Sequence, residues 1–398
     1  MKVKQQPDDF RVEELTRIAP GDRGPFAFYR LEKRGWTTPD ALAAIRRRWE
    51  IAPQRVGYGG LKDRHAATTQ YLTIHHGPRR GLKHHAVTLT YLGQVAAPYS
   101  SCDILANRFR ITLRDLSADA AQRAAAEALL VAHDGVPNYF DDQRFGSVGD
   151  GRDFVAKQMV LGQYEAALKL ALTVPYEFDR GEEKRIKATL LECWGRWGEC
   201  KDRLPRSHAR SLVDYLVHHP TDFRGALARL RPELQGMYLS AYQSDLWNRI
   251  LAERLVESGP AERLRPIRLR VGESPVPVRL DERQRDELFA LAIPLPAARS
   301  PFDEDAPWAN AARRVLTSEG LAWEQLKIRG MRKPFFTRGE RAALVIPQEM
   351  TATAGPDERH PGQARLDLSF DLPRGSYATM VVKRVLIEGP AWQADAGP

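Results

Sequence analysis

The sequence predicts an α+β protein in which strand-rich segments at both ends of the chain enclose a largely helical block. Three observations predict this class. Alternating apolar and polar residues mark strands near the N-terminus and again from Asn107 to Arg114, where the apolar side chains face the core and Arg110, Thr112 and Arg114 form a basic face that by default is solvated. Helical periodicity then runs almost without a break from about 152 to 258, with helices predicted near 152–172, 180–193, 207–218 and 236–257. Extended patterns return after residue 340, where Leu366, Leu368 and Phe370 alternate with polar residues.

The N-terminal segment predicts two strands and then a helix. Residues 7 to 35 read as extended structure, because Phe10 and Val12 alternate with charged residues. We expect a helix to begin at Thr38, with this threonine as its N-cap ahead of a proline and an aspartate. The outer face of that helix carries a triple arginine at 46–48. Such a run is usually a solvated face, although it could also contact phosphate.

A glycine turn leads directly into a carboxylate that two cations flank. Gly59 and Gly60 permit positive φ and a close approach of the backbone to a ligand. Asp63 follows between Lys62 and Arg64, which favour its ionised form and could hold a phosphate. The segment is predicted to be a loop between a helix and a strand, where functional residues are often placed. The alternative interpretation is a solvated turn with alternating charge.

A second crowded stretch runs from Asn138 to Gly146. It contains an amide, three aromatic rings, a glutamine and an arginine. A loop of this kind can stack a flipped base on an aromatic ring, read the edge of the base with an amide and hold a phosphate with arginine. The same residues could equally be a turn that tucks its aromatic rings into the core.

Composition favours a polyanionic partner and a reducing compartment. The net charge of +9 points to nucleic acid first and to an anionic membrane surface second. Three cysteines are too few for a disulfide framework, so we interpret Cys102, Cys193 and Cys200 as structural thiols of a cytoplasmic protein. The sequence has no signal-peptide pattern and no long apolar run, so we expect no membrane span. A monomer is the default expectation.

The motifs for metals and nucleotides are weak. The histidine pairs at 75–76 and 84–85 resemble metal ligands, but neighbouring residues of a strand point to opposite faces and neither pair is expected to chelate an ion. The glycines at 57–60 lack the lysine and hydroxyl residues that a phosphate-binding loop requires. We therefore expect neither a metal nor a cofactor.

Six segments resemble, in the same order, the motifs of the TruD-type tRNA pseudouridine synthases: residues 9–14, 33–38, 60–66, 138–146, 239–248 and 372–379. The resemblance extends over nearly the whole chain. It implies a catalytic domain with a mixed, mostly antiparallel sheet, formed by residues 1–150 and 340–398. An inserted, largely helical domain would occupy residues 151–339.

The same resemblance implies an isomerase that converts uridine to pseudouridine in tRNA, at position 13, without a cofactor. It places the essential carboxylate at Asp63 and the stacking aromatic at Phe140, with Phe10, Lys62 and Asn138 at the same site. An ionised carboxylate could attack C1′ of the ribose or remove the proton from C2′, and the sequence does not choose between these routes. The alternative of a different class is a noncatalytic RNA-binding or RNA-chaperoning protein, which the positive charge and the arginine run would also serve.

Overall fold

The structure is a computed structural model that describes residues 2–3, 5–149, 152–176, 179–331 and 334–387. The chain divides into two compact units. Unit 1 comprises residues 1–136 and 345–398, and unit 2 comprises residues 137–344. These limits differ from those expected near residues 150 and 340, and they assign Asn138 and Phe140 to unit 2. The roles of the units as catalytic and inserted domains stay a prediction.

The secondary structure follows the predicted order of strands, helices and strands. The strands are β1 (Lys2–Val3), β2 (Phe10–Thr16), β3 (Phe26–Arg34), β4 (Val56–Tyr58), β5 (Ala67–His75), β6 (Leu82–His84), β7 (Val87–Val95), β8 (Ile104–Leu116), β9 (Val136–Pro137), β10 (Leu264–Leu269), β11 (Gly272–Pro277), β12 (Ala292–Pro294), β13 (Glu340–Ala342), β14 (Leu344–Val345), β15 (Gln348–Pro356) and β16 (Ala364–Leu372). The α-helices are α1 (Thr38–Trp49), α2 (Ala118–Asp134), α3 (Val155–Val160), α4 (Tyr164–Thr173), α5 (Gly181–Glu192), α6 (Trp197–Arg203), α7 (His208–His218), α8 (Phe223–Ala228), α9 (Pro232–Ser258), α10 (Glu282–Ala290), α11 (Ala309–Ser318) and α12 (Ala378–Val385).

Unit 1 is built on a ten-stranded sheet with the order β15-β16-β8-β2-β5-β3-β7-β6, in which β1 also pairs with β8 and β4 with β5. Strands β2 and β5 run parallel. The other pairs in this sheet are antiparallel. The α+β class and the mixed, mostly antiparallel sheet are therefore confirmed. Strand β16, from the C-terminal end of the chain, pairs with β8. The sheet therefore combines segments that precede and follow unit 2 in the sequence.

Helices α1, α2 and α12 cover one face of this sheet. Directly paired residues of neighbouring strands point to the same side, so the register places Val12, Thr68 and Lys33 on a common face. Towards one end of the sheet, α2 and α12 pack on the apolar side chains of β8 and β16. Towards the other end, α1 buries Leu42 and Ile45 against β3, β5 and β7. The predicted apolar face of α1 is thus the one that packs on the sheet.

One arginine of β8 is buried, although the alternating pattern predicted it on the solvent face. Arg114 is 4% exposed and donates hydrogen bonds to Asp9 Oδ1 and Asp357 Oδ1, both at 3.0 Å. Burial alone would raise the pKa of Asp357, but hydrogen bonds from two main-chain N–H groups and from Arg114 lower it to about 2. The strand alternation fails here because ion pairs make the buried guanidinium tolerable.

Unit 2 is mainly helical and is arranged around the long helix α9. The single helix predicted over 152–172 is instead the pair α3 and α4, between which Gly162 adopts a φ of 76°. The short helices α6 and α8 were not predicted. Strand β10 pairs with β11 and β12 with β13 as two small antiparallel sheets. Within the described ranges, no helix combines the length and the apolar character that crossing a bilayer requires.

The interpretation of Cys193 and Cys200 as thiols is wrong. The two residues form a disulfide, with their Cα atoms 5.5 Å apart. Cys193 directly follows α5 and Cys200 lies in α6, so the turn between these helices brings the side chains together. Because α6 was not predicted from the sequence, this approach of the two side chains could not be expected. Cys102 is free and exposed.

Replacing Arg114 by methionine should lower the free energy of unfolding by about 3–5 kcal/mol, because Asp9 and Asp357 would remain charged in a buried site without their cation. Denaturant titration at neutral pH measures this loss. Arg110→Met is the matched control, because Arg110 is exposed on the same strand and its replacement should change the value by less than about 0.5 kcal/mol. Equal losses in the two variants would contradict the assignment of Arg114 as a buried ion-pair centre.

Candidate active site

Asp63 lies in the segment that joins β4 to β5, which we call the Asp63 loop (residues 59–66). The Asp63 side chain is partly buried. Its Oδ1 accepts the main-chain N–H of His65 at 3.0 Å, which closes a short turn and orients the carboxylate. Ala67 pairs with Arg11 immediately after the loop, so the loop lies beside the start of β2.

Neither glycine of the Asp63 loop has positive φ, which corrects the expected conformational role, and Gly59 serves close packing instead. Neither Gly59 nor Gly60 belongs to the residues with positive φ. A Cβ atom at Gly59 would lie 2.5 Å from Cδ1 of Ile104, so the absence of a side chain allows the loop to pack against β8. A Cβ atom at Gly60 would meet no atom within 4 Å.

The ammonium group of Lys62 is turned inward. Its Nζ lies 2.9 Å from Oε1 of Glu14 and donates a hydrogen bond of 2.7 Å to Oδ1 of Asn107. Glu14 is fully buried, and its Oε2 accepts the main-chain N–H of Tyr71 at 3.1 Å. These bonds anchor the residue before Asp63 to β2 and β8. The predicted contact between Lys62 and the substrate stays a prediction.

Helix α1 is capped one residue earlier than predicted, and the shift supplies another anchor. Thr37 is the N-cap, since its side chain accepts a main-chain N–H of the first turn. The buried hydroxyl of Thr38 instead donates to Oε1 of Gln70 at 2.8 Å and accepts the N–H of Lys62 at 3.0 Å. Gln70 in turn donates to the carbonyl of Gly60 at 3.3 Å. The start of α1 therefore holds the Asp63 loop through side chains.

Lys33 of β3 is the residue that the sequence reasoning missed at this site. It is 2% exposed, and its Nζ donates to the carbonyl oxygens of Trp36 at 2.8 Å, Asp63 at 2.9 Å and Lys62 at 3.3 Å. Burial lowers the pKa of Lys33 to about 8, the negative charge of Asp63 opposes this shift, and the charge of Lys62 adds to it. A lysine at an inward position of an alternating strand was the available signal.

Phe10 is the first residue of β2 and belongs to the core of unit 1. Its ring is buried and meets the ring of Phe109 edge to face, with the centroids 6.2 Å apart. A base can therefore stack on Phe10 only if this part of the core opens. The prediction that Phe10 lies at the substrate site is compatible with its position beside the Asp63 loop along β2.

Asn138 lies in unit 2, directly after β9, and its amide is used within that unit. Its Nδ2 donates to the carbonyl of Ala342 at 3.1 Å, and its main-chain N–H donates to Ala343 at 2.8 Å. Arg341 donates to both the carbonyl oxygen and Oδ1 of Asn138, each at 2.6 Å. Arg341 was not predicted, because its partner is some two hundred residues away along the chain.

The main chain of Phe140 is held by hydrogen bonds, and its ring is enclosed by neighbouring side chains. Asn248 of α9 accepts the N–H of Phe140 and donates to its carbonyl, both at 2.8 Å. The ring is 6% exposed and meets Trp247 edge to face at 5.6 Å between centroids. The guanidinium carbons of Arg341 and Arg144 lie 4.3 and 5.2 Å from the ring centroid. Within the described part of the chain, Nε of Arg144 is buried without a hydrogen-bond partner.

The comparisons with known proteins agree with the ordered motifs. The family model for tRNA pseudouridine synthase D (TruD) matches residues 1–385. A Methanococcus maripaludis protein named "Probable tRNA pseudouridine synthase D 1" is 31% identical over 97% of this chain and 99% of its own length. The tRNA pseudouridine synthase D of Aquifex aeolicus is 28% identical over 97% of this chain and 98% of its own length. A crystal structure assigned to the Methanosarcina mazei TruD protein superposes with a TM-score of 0.74 at 26% identity, covering 97% of this chain and 93% of that one.

The matches place the chain among the pseudouridine synthases, enzymes that isomerise uridine within RNA. More specifically, it belongs to the tRNA pseudouridine synthase D (TruD) family, whose members act on tRNA. The resemblance that the motifs carried is thereby confirmed.

Asn248→Ala should reduce the free energy of unfolding by at least about 2 kcal/mol, because the buried N–H and carbonyl of Phe140 would each lose a partner. Thermal or denaturant unfolding of the full chain measures the loss. Ser240→Ala, also in α9, is the control, since its hydroxyl donates a hydrogen bond to the carbonyl of Met237 one turn earlier in the same helix. If Asn248→Ala were as stable as this control, the reciprocal pair of hydrogen bonds would not hold Phe140 in place.

Proposed function

We propose that this enzyme converts uridine to pseudouridine at position 13 of tRNA, with Asp63 as the essential carboxylate. The observation that carries the role of Asp63 is the fixation of its loop. Side chains from β2, β3, α1 and β8 hold the two residues Lys62 and Asp63 from different directions. A carboxylate that must meet one sugar carbon benefits from such preorganisation. Membership of the TruD family supports the reaction and the tRNA substrate.

The chemistry requires an ionised carboxylate next to the ribose of the target uridine. The N1–C1′ bond breaks, the detached uracil turns, and C5 forms a new bond to C1′ before it loses its proton. Bond cleavage leaves C1′ electron-deficient, so Asp63 can attack this carbon, or it can remove the proton from C2′. Both routes need the same placement of the carboxylate, and both leave the aspartate unchanged at the end of the cycle.

We propose that Phe140, Phe10 and Asn138 contact the everted uracil. Flipping a base out of a folded RNA costs a few kcal/mol, and stacking on an aromatic ring returns about 1–3 kcal/mol. Each of the two rings is buried, so RNA binding has to expose the ring that stacks the base. We propose that Arg144, whose guanidinium carbon lies 5.2 Å from the centroid of the Phe140 ring, moves away when RNA binds.

The rest of the proposal concerns the setting of the reaction. We place the enzyme in the cytoplasm, where tRNA is processed, as a monomer that needs no cofactor. We further propose that Lys62 contacts the substrate beside Asp63; in the free enzyme its ammonium is held by Glu14 and Asn107.

Asp63→Asn should reduce pseudouridine formation by at least about 10³-fold while leaving tRNA affinity within about twofold, since only the charge at the reacting carbon is lost. Mapping pseudouridine in total RNA from cells with and without the enzyme, and then with the variant, identifies the target position. Asp119→Asn, exposed in the first turn of α2, is the control and should retain full turnover. Unchanged turnover in Asp63→Asn would rule out its role.

Charge reversal of the arginine run in α1 separates the enzyme from a noncatalytic RNA-binding protein. We expect glutamate at Arg46, Arg47 and Arg48 to weaken tRNA binding and its salt dependence without lowering the maximal rate of isomerisation. Gel-shift titrations at several salt concentrations, paired with turnover at saturating tRNA, measure the two effects. If biological activity followed this binding and survived Asp63→Asn, the noncatalytic alternative would be correct.

A further inference from the structure

We propose that Lys33 is a positioning residue for pseudouridine formation: its buried ammonium group fixes the main chain at Asp63, and turnover requires that ammonium to be protonated. The inference rests on the proposed role of Asp63. Lys33 does not touch the substrate in this scheme and acts only through the Asp63 loop.

The hydrogen-bond geometry at Lys33 matches an ammonium group and not a neutral amine. Its Nζ meets three carbonyl oxygens, those of Trp36 at 2.8 Å, Asp63 at 2.9 Å and Lys62 at 3.3 Å. An ammonium has three N–H donors, one for each acceptor. A neutral amine has two donors and a lone pair, so one carbonyl would then face a lone pair inside the protein. Because two of the acceptors belong to the peptide groups on either side of the Asp63 Cα, deprotonation loosens the main chain that carries the carboxylate.

The surroundings of Lys33 allow it to lose its proton within the pH range used for enzyme assays. Its neighbours across the sheet, Thr68 in β5 and Val87 in β7, carry no charge. Among the described residues, the charged groups that shift its pKa are Asp63, which raises it, and Lys62, which lowers it. Burial is the largest influence, and the pKa of Lys33 is lowered to about 8.

Stability and turnover should then respond to pH in opposite directions. The unfolded chain binds a proton at Lys33 more tightly than the folded chain does, because the folded pKa is the lower one. The contribution of Lys33 to stability therefore rises with pH from about 8 up to its unfolded pKa. Turnover should fall over the same range, because the ammonium that fixes Asp63 disappears. A lysine with a purely structural role would make activity follow stability.

The test compares the wild type with Lys33→Met and with Lys83→Met, an exposed lysine of β6. An in vitro transcribed tRNA serves as substrate, and kcat, KM and the melting temperature are measured between pH 6.5 and 9.5. We expect the wild-type kcat to decline through about pH 8 while the melting temperature does not decline. Lys33→Met should lose about 10–100-fold in kcat at pH 7, keep KM within about twofold and lack the decline near pH 8. Lys83→Met should behave as the wild type.

The outcomes distinguish a failure of this inference from a failure of the proposed function on which it rests. If the wild type formed no pseudouridine in any tRNA, the proposed function itself would be overturned. A wild type that is active, with Lys33→Met equal to it in kcat and in pH profile, would overturn the role of Lys33 alone. If Lys33→Met fails to fold, the wild type still decides: parallel declines of kcat and melting temperature above pH 8 would contradict the inference, and opposite trends would support it.

Discussion

The burial of two lysine ammonium groups beside one loop is the constraint on which the active site depends. Lys33 and Lys62 both lie on the helix-covered face of the sheet, where a cation is costly unless every donor finds an acceptor. Lys62 is balanced by the buried carboxylate of Glu14, whereas Lys33 is satisfied by carbonyl oxygens. Two of the carbonyl acceptors of Lys33 belong to the Asp63 loop, so its buried ammonium favours the loop path that supplies them. Loop conformations that withdraw these carbonyl oxygens would leave the buried charge without acceptors, and they are therefore disfavoured.

The sheet of unit 1 makes this arrangement possible because its strands come from both ends of the chain. Strand β8 supplies Asn107 to Lys62 and is itself paired with β16, which follows unit 2 in the sequence. The rings of Phe109 and Phe370 stack across this pair with their centroids 5.7 Å apart. The strand that supplies Asn107 is thus paired with a segment from the far end of the sequence, and unit 1 combines residues from before and after unit 2.

In unit 2 as well, side chains from distant elements hold the main chain of a short segment. The main chain of Phe140 is bonded to one amide side chain of α9, and the main chain of Asn138 is bonded to Arg341. In both units, a short segment that family resemblance marks as functional has no regular strand or helix of its own. Side chains from distant elements supply the hydrogen bonds that regular structure would otherwise provide. Such segments therefore hold a defined shape without regular secondary structure.

The sequence by itself determined the fold class, the faces of α1 and β8, the family and the position of the Asp63 loop. These features are written in periodicity and in short motifs, which report on residues that are neighbours along the chain. The tertiary structure alone decided that Arg114 is buried, that Cys193 and Cys200 are bonded, and that Lys33 holds Asp63. Each of these depends on which elements pack together, and a residue's neighbours in sequence carry no record of partners that folding brings from elsewhere.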